Sequence, residues 1–332
     1  RGDTAKAREM LAESLDLLRR LEATEEGLIP LLFQAEVQDS MEESNRLYRE
    51  GLALARAVGD RWAIAHALLF MVGNARLTGD YQEAEQLGHE ALNQFRQNED
   101  EIGAAVALNE LSLLATDRGR YEEAVTLARE SISLTRRFNP MVRIIGLFPL
   151  GLALYALGEY GEAEEQFRQG LTVSRELGRD DWKLRLFYLG EIAFQQRDYV
   201  RAAQLYEDSL ATAVEFGNPN WIIQNHRSLG RLYVTRGRVI EARKHLLAAL
   251  QTATALNWRP LLLDCLAPIA ELFLEDGNLE YAALLATLIT TDPAGRAMTV
   301  ERGERLLAHL EKELPANAME AIRRRIRTHD LS

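Results

Sequence analysis

The chain has 332 residues, of which 27% are charged and 47% are hydrophobic, and its formal net charge is −11. This composition is typical of a globular chain and excludes a largely disordered or membrane-embedded one, while the acidic excess disfavours binding to nucleic-acid phosphates. The single cysteine, Cys265, cannot form a disulfide within the chain and favours a reducing compartment. We therefore expect a cytoplasmic protein that contacts neither a membrane nor nucleic acid directly.

One short motif recurs along the chain: usually a glycine, then a polar residue, an aromatic or aliphatic residue and, three positions further on, an alanine. The clear copies begin at Gly79, Gly119, Gly158, Arg197, Gly237 and Gly277. Successive copies are 39 or 40 residues apart, and weaker copies begin at Gly2 and Asp39. Self-similarity at this period predicts eight stacked units, because one unit cannot bury its apolar face alone.

The spacing after each alanine predicts a helix with one buried face. In the copy that begins at Gly79, Ala84 is followed by Ala91 and Leu92 at offsets of seven and eight. These offsets fall on one side of an α-helix, where a small residue lets a neighbouring helix approach. The helices that carry this motif are the second helices of their units, and they are predicted to end at Gly59, Asn98, Asn139, Gly178, Gly217 and Asn257. Glycine and asparagine tolerate the left-handed conformation that ends a helix, so each unit is predicted to be a helical hairpin.

The first helix of several units carries a leucine followed by a small residue, as in Leu150-Gly151, Leu189-Gly190 and Leu229-Gly230. Together with the motif of the second helix, these residues resemble the tetratricopeptide repeat. The resemblance implies an all-α fold, a right-handed superhelix (an α-solenoid) of about eight helical hairpins.

The periodicity stops at Asp292-Pro293. We expect residues 1–292 to form the superhelix and residues 293–332 to form C-terminal capping helices of the same domain, since a solenoid needs its last apolar face covered. The two capping helices are predicted over residues 299–314 and 317–328.

The sequence carries no recognisable catalytic motif. It has no phosphate-binding loop, no dinucleotide fingerprint and no paired histidines at the spacing of metal ligands. Cys265 falls in an apolar stretch of a first helix, which favours a small buried hydrophobe over a reactive thiol. We predict that this chain has no catalytic residues, binds no metal or cofactor and is not an enzyme.

The resemblance implies that the first helices line a concave surface. The candidate ligand-binding residues there are Asn109, Phe148, Tyr155, Phe187, Glu191, Phe194, Gln224, Arg227 and Arg231. Two pairs of rings, Phe148 with Phe187 and Tyr155 with Phe194, occupy equivalent positions in adjacent units. Aromatic anchors flanked by polar groups are typical of binding surfaces. The alternatives are that the rings pack between helices as core and that the two arginines form structural ion pairs.

The sequence of residues 79–84 and of helix ends such as Glu90-Ala91-Leu92 is similar to the C-terminal sensor arrays of bacterial STAND signal-transduction ATPases and transcription regulators. That resemblance implies an inducer-binding sensor whose ligand, a protein, a peptide or a small molecule, binds in the concave groove. It also implies an intramolecular contact with an ATPase domain that this chain lacks. The alternatives are a plain protein–protein interaction scaffold and the accessory array of a fused enzyme.

Overall fold

The computed structural model describes residues 6, 9–14, 16–17, 28–36, 38, 41–138, 142, 144–176 and 186–327. From residue 28 onward these residues form sixteen α-helices and one short 3-10 helix, Ile144–Gly146, with no strand among them. The helices are α1 (Leu28–Glu36), α2 (Met41–Val58), α3 (Arg61–Thr78), α4 (Tyr81–Gln97), α5 (Glu101–Asp117), α6 (Tyr121–Thr135), α7 (Leu147–Leu157), α8 (Tyr160–Glu176), α9 (Leu186–Gln195), α10 (Tyr199–Glu215), α11 (Pro219–Thr235), α12 (Val239–Ala255), α13 (Arg259–Glu275), α14 (Leu279–Thr291), α15 (Ala297–Glu313) and α16 (Ala316–Arg327). The all-α prediction is confirmed.

The helices pair in chain order into seven hairpins, from α1–α2 to α13–α14, and each hairpin packs on its neighbours. Such nearest-neighbour packing defines an α-solenoid, as the repeat predicts. The first predicted unit, which begins at Gly2, falls largely outside the described residues, as do Asp39 and the predicted helix ends at Asn139 and Gly178.

Short turns join the two helices of a hairpin. At the end of α3, Gly79 has a φ of 87° and its N–H donates to the carbonyls of Ala75 and Arg76. Asp80 then begins α4, and its side chain accepts a hydrogen bond from the backbone N–H of Glu83 at 3.2 Å. The left-handed residue satisfies the carbonyls that end one helix, and the aspartate satisfies an N–H that begins the next. These two residue types at adjacent positions therefore fix the turn.

The small residue of the first helix allows the two helices of a hairpin to touch. A Cβ atom added at Gly190 in α9 would lie 2.7 Å from the ring of Tyr206 in α10. Gly151 meets Phe167 and Gly230 meets Leu246 in the same way in the neighbouring hairpins, at 2.7 and 2.5 Å. The glycine and the large residue opposite it are thus complementary parts of one contact.

Gly190→Ala should lower the free energy of unfolding by about 1–3 kcal/mol, because the added methyl overpacks the contact with Tyr206. Gly73→Ala in α3 is the matched control, since a Cβ there meets nothing within 4 Å. There the better helix propensity of alanine should stabilise the chain by about 0.5–1 kcal/mol. Urea unfolding followed by circular dichroism measures both changes, and equal shifts in the same direction would contradict the close contact at Gly190.

The C-terminal helices lie close to the predicted positions. α15 packs on α13 and α14, and α16 packs on α14. α15 also contacts α5, and α13 contacts α3, so the end of the solenoid returns to units near its beginning. None of the described helices is both long enough and apolar enough to cross a bilayer.

Candidate functional site

The inner surface of the solenoid is the side on which the first helices face residues 294–306, a segment that includes the first half of α15. Seven charged side chains from α3, α5, α9, α11, α13 and the start of α15 meet there, and we call them the inner charge network. They are Arg76, Asp117, Glu191, Arg227, Arg231, Asp264 and Arg296.

Glu191 is a buried acid of this network, with 4% of its surface exposed. Its carboxylate accepts hydrogen bonds from the hydroxyls of Tyr206 at 2.7 Å, Ser228 at 2.6 Å and Tyr155 at 3.2 Å. Arg231 Nη2 lies 3.0 and 2.9 Å from its two oxygens. The carboxylate thus joins α7, α9, α10 and α11, four helices of three successive hairpins.

The surroundings keep Glu191 ionised. Burial alone would raise the pKa of this carboxyl group, but the positive charges of Arg231 and Arg227 and the donated hydrogen bonds lower it to about 2. The same burial opposes the charge on Arg231, yet Glu191 holds the pKa of this guanidinium above its ordinary value. The pair is therefore charged at neutral pH although both side chains are largely buried.

Arg296 joins distant parts of the chain. Its Nη1 lies 2.8 Å from Oδ2 of Asp264 in α13, and its Nε lies 3.3 Å from Oδ1 of Asp117 in α5. Asp264 is also 3.4 Å from Arg227, and Asp117 is 3.0 Å from Arg76. Burial disfavours the charge on Arg296, but the two aspartates raise its pKa above the ordinary value. One guanidinium therefore bridges the fourth and the eighth predicted units.

Two further contacts support this bridge. The hydroxyl of Tyr81 donates to the carbonyl of Ala294 at 2.9 Å, and the hydroxyl of Tyr121 donates to Glu301 at 3.1 Å. Ala294 lies so close to Gly79 that a Cβ added at the glycine would be 2.4 Å from the alanine Cβ. We call the contacts between residues 294–301 and the helices α4, α5 and α6 the closure. Its polar members are Tyr81, Asp117, Tyr121, Ala294, Arg296 and Glu301.

The first pair of predicted groove rings packs mainly against other rings. Phe187 is 1% exposed and contacts Tyr188 and Trp221 in edge-on geometry, at centroid distances of 4.9 and 5.7 Å. Phe148 is half-buried and lies 5.1 Å from the ring of Tyr188. Of the two alternatives left open by the sequence, the structure places Phe187 in the core.

The second pair of rings belongs to the inner surface. Tyr155 is buried, and its hydroxyl both donates to Glu191 and accepts from Gln195 at 3.0 Å. Phe194 is half-buried, and the guanidinium of Arg231 lies 4.0 Å from its ring centroid. The predicted proximity of aromatic rings to paired charges is present here, with the rings holding the charges in place.

The two predicted amides lie apart from the network. Gln224 in α11 is buried, and its Nε2 donates to Oδ1 of Asn220 at 3.1 Å. Asn109 in α5 is 4% exposed, and neither atom of its amide group has a hydrogen-bond partner. Neither side chain shares an ion pair or hydrogen bond with the inner charge network.

The sequence did not reveal the contribution of the C-terminal segment. Arg296 lies outside the periodic part of the chain, and its partner Asp117 is far away in sequence. One signal in the sequence could have indicated it. Periodicity places three acids, Glu191, Asp264 and Glu271, on this part of the inner face but only two arginines, Arg227 and Arg231, so one acid lacks a basic partner. Arg296 and Arg302 supply the missing cations, through Asp264 at 2.8 Å and a short contact with Glu271.

A histidine pair lies between α11 and α12, with 2.9 Å between Nδ1 of His226 and Nδ1 of His245. Such a contact requires a proton on only one of the two facing nitrogens. Burial and Lys244 lower the pKa of His226, and burial together with His226 and Lys244 lowers that of His245 to about 4. Among the described residues, no three His, Cys, Asp or Glu side chains are grouped as metal ligands would be.

Acidification should destabilise the chain through this pair. The unfolded histidine titrates near pH 6.5, whereas folded His245 stays neutral to about pH 4. The unfolded state therefore binds more protons between these values, and the free energy of unfolding falls as the pH is lowered through that window. His245→Gln should flatten the slope between pH 6.5 and 4.5 in urea titrations. An unchanged slope would show that the pair does not carry the effect.

Comparison with known proteins identifies the repeat. Two models described as tetratricopeptide repeat match residues 63–137 and 150–181, which together contain the whole of hairpin α5–α6 and most of hairpins α3–α4 and α7–α8. No curated protein matches the chain. Residues 63–137 and 150–181 are thus matched as tetratricopeptide repeats, and they lie within an α-solenoid array of helical hairpins.

Several solved structures share the fold. A Rap protein complexed with Competence and Sporulation Factor is 16% identical with a TM-score of 0.64, over 90% of this chain and 81% of that one. The Rap conjugation gene regulator of the plasmid pLS20, in complex with the Phr* peptide, is 14% identical with a TM-score of 0.59, over 96% of both chains. A STAND protein with a tetratricopeptide-repeat sensor from Pyrococcus horikoshii is 16% identical with a TM-score of 0.54. That last match covers 92% of this chain and 49% of the other.

Proposed function

We propose that this array is the inducer-binding sensor of a STAND-type regulatory ATPase, and that an inducer at the inner surface is coupled to an ATPase domain outside this chain. The observation that carries the proposal is the bridge made by Arg296 between Asp117 and Asp264. A bridge of this kind makes the relative position of early and late units depend on a few polar contacts.

The comparisons support the proposal by analogy of fold. One similar structure is a STAND protein described as having a tetratricopeptide-repeat sensor, and two are Rap proteins described in complex with a factor or a peptide. We infer that the inducer of this array is a protein, a peptide or a small molecule that binds in the same inner space. That the array itself is not an enzyme and resides in the cytoplasm stays a prediction.

The proposed mechanism is a shift between a closed and an open arrangement. Residues 294–306 contact the inner surface, so an inducer that binds there competes with them for the same side chains. A ligand shifts such an equilibrium only by the difference between its affinities for the two states. An inducer that replaces the partners of Arg227 and Asp264 binds the open arrangement better. We also propose that residues 293–332 belong to one domain with residues 1–292, because Arg296 pairs with Asp117 in α5 and with Asp264 in α13.

The test uses the protein encoded by the complete reading frame. Arg296→Met removes the bridge and should raise ATP hydrolysis and the oligomer mass in the absence of inducer. Arg259→Met is the matched control, because Arg259 pairs with Asp292 at 2.9 Å at one end of the hairpin α13–α14 and does not take part in the closure. Basal activity should stay at the wild-type level in the control.

The alternatives give different outcomes. If the reading frame encodes no ATPase, the array is a protein–protein interaction scaffold or the accessory array of another enzyme. If it encodes one and Arg296→Met behaves like Arg259→Met, the closure does not control the ATPase and the coupling mechanism is wrong.

A further inference from the structure

A cavity of about 500 Å³ opens at the inner surface between α9, α11, α13 and α15. Basic side chains dominate its polar lining. They are Arg231, Arg302, Arg305 and His309, and the acid among the lining residues is Glu271. Leu274 contributes to the apolar part of the wall. The chemistry of this lining differs from that of the chain as a whole, whose net charge is −11.

Two of the basic groups, Arg231 and Arg302, already pair with acidic side chains of the protein. Arg231 contacts Glu191 at 2.9 Å, and Arg302 forms a short ion pair with Glu271. Arg302 uses its Nε and one Nη for this pair, which leaves the two N–H groups of the other Nη for a second acceptor. The cavity therefore retains donors even where an acid is present.

The other two basic groups have no acidic partner. In the described part of the chain, neither Arg305 nor His309 makes a hydrogen bond or an ion pair, although both line the cavity. Both side chains are exposed, so they are free to turn toward a ligand. Arg305 alone gives the cavity a positive charge that no acid balances.

The electrostatic potential inside the cavity is positive, in agreement with the unbalanced charge of Arg305. Burial, together with the charges of Arg231 and Arg227, lowers the pKa of Arg302 below its ordinary value in spite of its contact with Glu271. The C-terminal ends of α9 and α11 add partial negative charge nearby, but a helix end carries at most about half a unit charge, screened within its last turn. Their last carbonyls are also bonded by the N–H groups of Arg197 and Gly237. The guanidinium groups outweigh them.

We propose that this cavity binds a small organic anion, whose carboxylate or phosphate group pairs with Arg302, Arg305 and His309 and whose apolar part packs against Leu274. A ligand placed there touches α15 on one side and the inner helices on the other. The inference rests on the proposed function in naming the chemical class of the inducer, and the binding itself is measurable without any ATPase.

Isothermal titration calorimetry on this chain, at constant ionic strength, tests the proposal. The probes are inorganic phosphate, phenyl phosphate and benzoate, with benzamide as the uncharged analogue. Phenyl phosphate or benzoate should bind more tightly than inorganic phosphate, and the stronger of the two identifies the head group. Benzamide should not bind.

Variants on α15 locate the site. Arg305→Gln should weaken the binding of the stronger anion about tenfold, the loss expected for a charge-assisted hydrogen bond. His309→Leu should also weaken it, because leucine has no N–H donor for the anion. Lys312→Gln removes a charge of the same sign from an exposed position of α15 outside the cavity lining and should leave the affinity within twofold.

Three results would contradict the proposed anion site. Absence of binding by all three anions, equal binding of benzamide and benzoate, or equal effects of Arg305→Gln and Lys312→Gln would each overturn the anion site. If the anion site fails while Arg296→Met still activates the full-length protein, the proposed sensor function stands with a different ligand. If anions bind but Arg296→Met has no effect, the site exists and the coupling does not.

Discussion

Glu191→Ala should lower the free energy of unfolding by about 3–5 kcal/mol, because it leaves the guanidinium of Arg231 buried without its counter-ion. Three hydroxyl donors lose their acceptor in the same substitution, those of Tyr155, Tyr206 and Ser228. The side chain joins three successive hairpins, so we expect the loss to appear as a shift of the whole unfolding transition in urea.

Two variants separate the charge from the hydrogen bonds. Glu191→Gln keeps an acceptor for the hydroxyl groups but leaves Arg231 uncompensated, so it should remain strongly destabilised. The double variant Glu191→Leu with Arg231→Met removes both charges and should recover the part of the stability lost to the unpaired charge, since apolar residues of similar size often replace a buried ion pair without loss. The cost of the hydroxyl groups that lose their acceptor should remain. If the double variant is less stable than either single one, the packing of these side chains dominates instead of their charges.

The pH dependence gives an independent check. The pKa of Glu191 is lowered to about 2 in the folded chain, from an ordinary value of 4.5. A carboxyl group with a depressed folded pKa contributes stability that is present above pH 4.5 and is lost as the pH falls toward 2. The contribution is about 3 kcal/mol, and Glu191→Gln should remove this part of the acid slope.

The sequence predicts the repeated part of this fold well because each unit makes the same contacts with its neighbours. Ala84, Ala91 and Leu92 indicate one helical face, and the structure places Ala84 and Ala91 fully inside the core. The glycine of the first helix and the aromatic residue of the second, such as Gly190 and Tyr206, follow from the same local periodicity.

The candidate site is predicted only in part. Periodicity places Glu191 opposite Arg231 on adjacent first helices, and the structure joins them at 2.9 Å. Periodicity says nothing about how far the solenoid turns before its end meets its beginning, since small rotations between units accumulate along the array. The bridge from Arg296 to Asp117 depends on that accumulated rotation, and the sequence spacing of the two residues has no bearing on it.

Arg296→Met should open the closure and lower the free energy of unfolding by about 3 kcal/mol, the loss expected when one member of a buried, hydrogen-bonded ion network is removed. The effect is limited because Asp117 keeps Arg76 at 3.0 Å and Asp264 keeps Arg227 at 3.4 Å. Methionine preserves most of the length of the side chain, so the change is mainly one of charge.

The structural result of this substitution is more diagnostic than its effect on stability. Small-angle X-ray scattering should show a larger radius of gyration, and the amide protons of α15 should exchange faster with deuterium than in the wild type. Arg259→Met removes the pair between α13 and Asp292, while Asp292 keeps its hydrogen bond from the N–H of Ala294, so both measurements should stay unchanged. If Arg296→Met is destabilised but its radius and exchange match the wild type, the hydroxyl contacts of Tyr81 and Tyr121 and the packing of α15 hold the closure without Arg296. A radius that grows only in Arg296→Met means that a single guanidinium decides between two shapes of the solenoid, which is the property a ligand-controlled array requires.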